Sequence, residues 1–171
     1  MNVRVRPADR PGDLGWMIAA NGEVYSGQFG WSAEYEALVA RIVADYAEHH
    51  DPGREAAWIA EVDGERAGCV LCVDAGDGIA KLRILLVAPS ARGVGVGTLL
   101  VDACVAFARE AGYKTLTLWT NSVLEAAIRI YQRAGFTIVD EKPHHSFGVD
   151  LVGQTWELPL RNAATTQAAN S

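Results

Sequence analysis

The sequence predicts a mixed α/β, or α+β, fold built on one sheet flanked by helices. Three observations carry that expectation. An apolar run at 82–88 enters a glycine-rich turn, Arg92-Gly93-Val94-Gly95-Val96-Gly97-Thr98, which opens a helix-patterned segment at 98–111 and then an alternating strand at 115–119. Two β-rich runs, 55–62 and 65–73, are joined by Asp63-Gly64, a strong hairpin signal. Apolar residues at helical spacing recur at 33–49 and again ahead of Gly135, where a helix-ending glycine belongs. With 171 residues, half of them apolar, the chain is long enough to bury a sizeable core.

Taken in order, Val3-Arg4-Val5-Arg6 alternates as a first strand, and residues 7–13 form a turn. A short helix over 14–21 carries Trp16, Met17 and Ala20 on one side. Gly22, Gly27 and Gly30 then predict a loop presenting Tyr25, Phe29 and Trp31. Aromatic side chains on such a loop serve either as a substrate-pocket wall or as a satellite core. Ser32 is placed to cap a helix over 33–49, with Glu34 and Glu36 in its first turn and Leu38, Ile42, Val43 and Tyr46 on its apolar stripe.

After the hairpin, residues 74–78 read as a second turn and 79–88 as the central apolar strand, ended by Pro89. The helix after the glycine turn carries Val96, Leu99, Leu100, Ala103, Phe107 and Ala111 on one stripe. Ser122 and Glu125 have capping-box spacing, and Leu124, Ala127, Ile128 and Tyr131 form the inner face of the helix that follows. A strand at 136–139, a polar loop at 140–153 holding His144, His145 and Ser146, and a last strand at 154–160 complete a single domain at 1–160. Residues 161–171 read as a flexible tail.

Composition narrows the function classes. A net charge of −6 disfavours non-specific nucleic-acid binding and mildly favours a cationic substrate such as an amine. No apolar run approaches a membrane span, and the N-terminus lacks the apolar core of a signal peptide, so a cytoplasmic location is expected. Cys69 and Cys72 have C-x-x-C spelling, but on a strand those positions point to opposite faces, which suits neither a redox pair nor zinc. With Cys104 they read as buried free thiols. His49-His50-Asp51 at a helix end and the carboxylates of 74–78 lack the spacing of a metal site, and no metal is expected.

The glycine stretch invites a phosphate-bearing ligand, because glycine permits close backbone approach and a helix start offers free N–H groups. A dinucleotide fingerprint needs G-x-G-x-x-G, and here the spelling is G-x-G-x-G with no acidic residue about twenty positions on. A Walker A loop needs Gly-Lys-Ser/Thr, which is absent. The arginine-led form, Arg92-x-x-Gly95-x-Gly97, resembles instead the acyl-coenzyme A pyrophosphate loop of the GNAT superfamily of N-acetyltransferases. Asn121 and the Tyr131-x-x-x-Gly135-Phe136 helix ending extend that resemblance in the family's order. The stretches 109–113, 118–122 and 144–148 are most similar to the acetyltransferase half of bacterial chains fused to a MarR-type regulator. These 171 residues carry no match to the regulator half, so DNA binding is not expected from them.

The resemblance implies the GNAT fold: a central, mostly antiparallel twisted sheet flanked by helices and splayed between its fourth and fifth strands. It implies acetyl-CoA as acyl donor, held by the backbone of Leu85, Leu86 and Val87, by Arg92, by the amides of Gly93, Val94, Gly95, Val96, Gly97 and Thr98, and by Asn121. The implied reaction is direct attack of a primary amine on the acetyl thioester, with Tyr131 as proton donor to the leaving thiolate. A glutamate found on the fourth strand of some relatives is replaced here by Lys81, so the base is open. His144 and His145 are candidates because imidazole titrates near neutral pH; Glu34, Glu36 or a water chain are others. Tyr25, Phe29 and Trp31 are the candidate acceptor-binding residues. The acceptor is expected to be a small molecule or amino acid, with a protein or peptide lysine, or a non-catalytic acyl-CoA-binding role, as alternatives. The resemblance is also compatible with a homodimer.

Overall fold

A computed structural model describes residues 1–160. The expected tail at 161–171 lies outside the described residues. The chain runs β1 (Val3–Pro7), α1 (Asp13–Phe29), α2 (Ala33–His49), β2 (Ala56–Val62), β3 (Glu65–Gly76), β4 (Ile79–Val87), α3 (Val96–Glu110), β5 (Thr115–Asn121), α4 (Glu125–Ala134), β6 (Thr137–Ser146) and β7 (Val149–Pro159). The strands form one sheet in the order β1-β2-β3-β4-β5-β7-β6. Only β4 and β5 pair in parallel; every other neighbour is antiparallel.

Alternation along the strands builds two cores. Val70, Cys72, Leu82, Leu116 and Leu118 face one side, where Leu100, Val101, Cys104 and Ala108 of α3 and Tyr131 of α4 cover them. Ile59, Cys69, Leu71 and Leu86 face the other, under Met17 and Tyr25 of α1 and Val39 and Val43 of α2. Cys69 and Cys72 therefore belong to different cores, and all three cysteines are free and buried.

Four elements differ from the sequence reading. First, α1 does not stop near Asn21 but continues to Phe29, so Tyr25 and Phe29 stand on a helix and not on a loop. Gly22 is not a breaker there. A Cβ at that position would run into the Glu36 carboxylate, so the glycine lets α2 lie close against α1. The helix ends at Gly30, whose φ of 71° opens the left-handed cap. Second, the α3 stripe is rotated by about one position. Leu100, Val101, Cys104 and Ala108 are buried, whereas Leu99 is 43% exposed, because the helix turns Gly97 toward Val87 and Ile130.

Third, α4 begins without a capping box: Leu124 is the cap, and no side chain bonds the first turn. The Ser122 N–H is drawn to Val152 O at 2.9 Å, which holds position 122 at the end of β5. Fourth, most of the expected loop at 140–153 is a hairpin, β6 turning into β7 through Phe147-Gly148. Phe147 has φ 57° and Gly148 φ 80°, the two positive values of a tight hairpin turn, but Phe-Gly is not a recognisable turn signal. Phe147 tolerates the position because it is buried against Trp31 and Tyr35, with ring centroids 5.0 and 5.1 Å away. The turn at 74–78 narrows to Asp77-Gly78, with β3 reaching Gly76.

The sheet opens where the family resemblance expects it to. Parallel pairing of β4 with β5 covers only Ile79–Leu82 against Thr115–Leu118. Beyond Leu82, β4 has no β5 partner, and a bulge opposite 69–71 puts Ile84 at φ 49°.

Candidate functional site

The opening between β4 and β5 leads into two cavities that share Tyr25, Leu85 and Leu124 as common walls. The larger, about 900 Å³, lies between the glycine turn and α4. Arg92, Gly93, Gly95, Val96, Gly97 and Thr98 form one side, and Ala127, Arg129, Ile130 and Arg133 form the other, with Phe29 and Gln28 of α1 above and Val87 at the strand end.

Gly93 and Gly95 require glycine, with φ values of 83° and 84°. A Cβ on either would meet nothing within 4 Å, so the backbone faces open space. The first intrahelical bond runs from Leu99 N–H to Gly95 O, which leaves the preceding amides of α3 free of intrahelical acceptors. Arg92 donates to Gln28 Oε1 at 2.7 Å and forms no ion pair with an acid among the described residues. Three arginines face one glutamate, Glu125, across this cavity. Amides at a helix start with surplus cations suit a polyanion such as a pyrophosphate.

The smaller cavity, about 320 Å³, lies between α2, β4 and β5. Tyr25, Trp31, Tyr35 and Trp119 give it an aromatic wall, and Lys81 and Arg83 of β4 bring charge. Tyr131 and Asn121 also line it. Tyr131 is 5% exposed, and burial together with Tyr25 and Cys104 raises its hydroxyl pKa far above the ordinary value. Burial, with Cys69 adding to it, likewise pushes Tyr25 up to about 12, and its hydroxyl donates to Leu85 O at 3.4 Å. Burial, reinforced by Arg83, lowers the Lys81 pKa; burial lowers that of Arg83.

The structure separates the two histidines. His144 bridges Asn121 Oδ1 through Nε2 at 2.7 Å and Ser146 Oγ through Nδ1 at 2.9 Å, and its ring lies 5.2 Å from Trp119. His145 points to the opposite face of β6, where Nδ1 meets Asp150 Oδ1 at 2.8 Å with both side chains exposed. Thus His144 reaches the cavity wall through Asn121, and His145 reaches neither cavity.

The other expected residues divide. Leu85 lines both cavities and Val87 the larger, whereas the Leu86 side chain turns into the α1–α2 core at 2% exposure. Val94 packs against the α3-side core, outside both linings. Phe29 faces the larger cavity, Trp31 the smaller, and Tyr25 both. Asn121 belongs to the smaller cavity. Sequence reasoning missed Tyr35, Trp119, Arg83, Arg129 and Arg133, and gave Lys81 no role. A trace was present, since Lys81-x-Arg83 interrupts an otherwise apolar strand on one face. Among the described residues, no group of three or more His, Cys, Asp or Glu side chains is placed to hold a metal ion, and no helix is long and apolar enough to cross a membrane.

Comparison with known proteins agrees with this geometry. Residues 18–136 match the acetyltransferase (GNAT) family. The Xenopus tropicalis protein camello, named as an N-acetyltransferase, is 31% identical over 119 residues, 65% of this chain and 54% of camello, so this chain spans about half of that relative's length. The Escherichia coli spermidine N(1)-acetyltransferase is 26% identical over 85% of this chain and 78% of its own. In fold, the chain resembles yncA of Salmonella typhimurium, solved with its cofactor acetyl-CoA, with a TM-score of 0.74 at 20% identity over 95% of this chain and 96% of that one. The glycine turn, the splayed sheet and the tyrosine-bearing helix thus meet in one place, within the matched span, and the chain belongs to the acetyltransferase (GNAT) family.

Proposed function

We propose that the protein transfers an acetyl group from acetyl-CoA to the primary amine of a small molecule. The observation that carries this reading is the meeting of two unlike cavities at Leu85, one suited to a polyanion and one aromatic, with Tyr131 in the lining of the second. The residues present fit acetyl-CoA. The α3 amides with Arg92, Arg129 and Arg133 would hold its phosphates, and the unpaired β4 backbone beyond Leu82 would take its pantetheine amides. Bound there, acetyl-CoA supplies an electrophilic thioester whose acyl group passes directly to nitrogen while the sulfur leaves as thiolate.

The chain's own groups then have distinct tasks. Tyr131 stays protonated at every physiological pH, because its pKa is raised, and donates its O–H proton to the departing sulfur. The aromatic wall keeps an incoming amine neutral by disfavouring its charged form. His144 orients the Asn121 carbonyl oxygen, which leaves the Asn121 amide N–H groups for a ligand oxygen. With both nitrogens of His144 engaged and His145 outside both cavities, water is the favoured proton acceptor from the attacking amine.

The size of the second cavity, at the lower end of small-ligand sites, favours a small acceptor over a protein lysine. One relative is named for spermidine. This cavity has no Asp or Glu lining to receive such a polycation. The finer likeness to regulator-fused acetyltransferases rests on the stretches 109–113, 118–122 and 144–148, and no DNA-binding role is drawn from it. Acceptor-dependent release of free coenzyme A, with product mass locating the acetyl group on nitrogen, tests the proposal. Acetyl-CoA binding without thiol release across a broad amine panel would refute it in favour of a binding domain.

A further inference from the structure

We infer that the acceptor is an amine that also carries an oxyanion, a carboxylate or a phosphonate, seated on Lys81 and Arg83. The inference rests on the acetyltransferase reading above and specifies the acceptor side of the same site.

Four observations support it. Lys81 and Arg83 lie two residues apart on β4, so their side chains leave the same face, about 7 Å apart along the strand. Both line the smaller cavity, and both are only partly exposed. Neither makes a hydrogen bond or an ion pair through its side chain among the described residues. Finally, the cavity lining contains no Asp or Glu, although the chain as a whole is acidic by six charges.

Two partly desolvated cations with no partner are costly unless something neutralises them. The acid whose charge acts on Arg83 is Asp45 of α2, whose side chain is 86% exposed and pairs with His49 at 3.7 Å, outside the cavity lining. A surface lysine or arginine would point into water. Here both residues line one small cavity together with Trp119, Trp31 and Tyr35.

The arrangement also has polarity. Leu85, where the cavities join, follows Arg83 two residues on along β4, past the bulge at Ile84, and lines both cavities. An amine directed at the junction places an anion a few bonds away within reach of Arg83, and one farther out within reach of Lys81. The aromatic side chains then receive the body between or beside the two groups. Amino acids and aminophosphonates have this form. Polyamines do not, and they would set like charges against Lys81 and Arg83.

The test measures binding separately from turnover. Calorimetry of the full-length protein with saturating coenzyme A uses the twenty standard amino acids, their primary amides, and phosphonate analogues of the best binders. The inference expects the best-bound acid to exceed its own amide by about tenfold or more, the scale of a hydrogen bond to a charged group. It expects Lys81→Met and Arg83→Met, checked for intact folding by thermal melting, to erase that ratio while leaving amide binding within about threefold. The charge-reversed Arg83→Glu variant is expected to invert the preference. Carboxylate and phosphonate arms of one amine identify which anion the site takes. Equal binding of acids and amides, tighter binding of spermidine, or an acid–amide ratio that survives both variants would overturn the inference. Thiol release is read in parallel: binding discrimination without acetyl transfer upholds the anion seat and refutes the enzyme, whereas transfer to amides and polyamines as fast as to acids does the reverse.

Discussion

Removing one oxygen from Tyr131 tests the proposed chemistry with little structural disturbance. The ring is 5% exposed and packs 5.8 Å from Phe136 in the core beneath α3 and α4, so Tyr131→Phe keeps the buried volume. Its hydroxyl makes no side-chain bond among the described residues that the substitution would break. Stability is therefore expected to change by less than about 1 kcal/mol. Tyr131 lies outside the larger cavity, so acetyl-CoA affinity is expected to stay within about twofold. The loss falls on the step in which the thiolate leaves. A positioned general acid contributes roughly 10²–10⁴-fold, so kcat is expected to drop by about 10² or more, equivalent to about 3 kcal/mol of barrier. The hydroxyl pKa is raised, so the donating form persists through neutral and moderately alkaline pH, and the wild-type rate is expected to show no alkaline limb from Tyr131 up to about pH 10. Steady-state kinetics of thiol release at saturating acetyl-CoA, from pH 6 to 10, measure both quantities. A Tyr131→Phe enzyme within threefold of wild-type kcat, or one whose only defect is acetyl-CoA affinity, would refute the proton-donor role.

Four further outcomes follow from individual contacts. Arg92→Ala is expected to raise the KM for acetyl-CoA about tenfold with little change in kcat, an effect that shrinks at high salt, because Arg92 is exposed and answers a phosphate through charge. His144→Phe removes the bond that orients Asn121 and the Ser146 bond that holds the ring, and is expected to lower kcat/KM by about tenfold while leaving the shape of the pH–rate profile intact; loss of an acidic limb would instead make His144 the base. Gly68→Ala drives a methyl within 2.7 Å of Leu86 O and 3.0 Å of Leu100 Cδ1, beneath the start of α3, and is expected to cost about 1–3 kcal/mol by urea melting and to weaken acetyl-CoA binding with it. Asp13 is fully buried and accepts from Arg6 at 2.8 and 3.0 Å, from Arg66 at 2.9 Å and from the Arg10 N–H at 2.9 Å, so Asp13→Asn is expected to lose about 3–5 kcal/mol and roughly 10 °C of Tm. The hydrogen bond from Arg6 leads the causes that hold this carboxyl far below its ordinary pKa; the stability it contributes is therefore complete above about pH 5 and lost as pH falls through about 4 and below, a slope that denaturant melts should show in wild type and not in Asp13→Asn.

The half of the site proposed to bind the donor was legible in the sequence because backbone requirements write it. Gly93 and Gly95 are glycine since φ is positive there, Arg92 precedes them, and an amphipathic helix must follow; each demand leaves a residue type at a countable spacing. The acceptor half was not, because its walls come from five separate elements and no local rule links Trp31, Tyr35, Arg83, Trp119 and Tyr131. Local rules even misplaced part of it. Glycine's poor helix propensity argued for a loop at 22–30, but helix packing overrode it, since only a glycine at position 22 admits Glu36 and so brings Tyr35 against Tyr25. A polar, exposed β6 read as a loop because an edge strand needs no buried face, and that error hid His144 beside Asn121. The same blindness affected charge. Counted over the whole chain, −6 pointed toward a cationic partner, whereas the cavity proposed to receive the acceptor presents Lys81 and Arg83 with no acid beside them. Net charge governs solubility and long-range steering, but recognition follows the few groups that lose water when the ligand arrives. In the proposed seat those groups are positive, so the acceptor it predicts carries an anion beside its amine, against the sign of the molecule that would bind it.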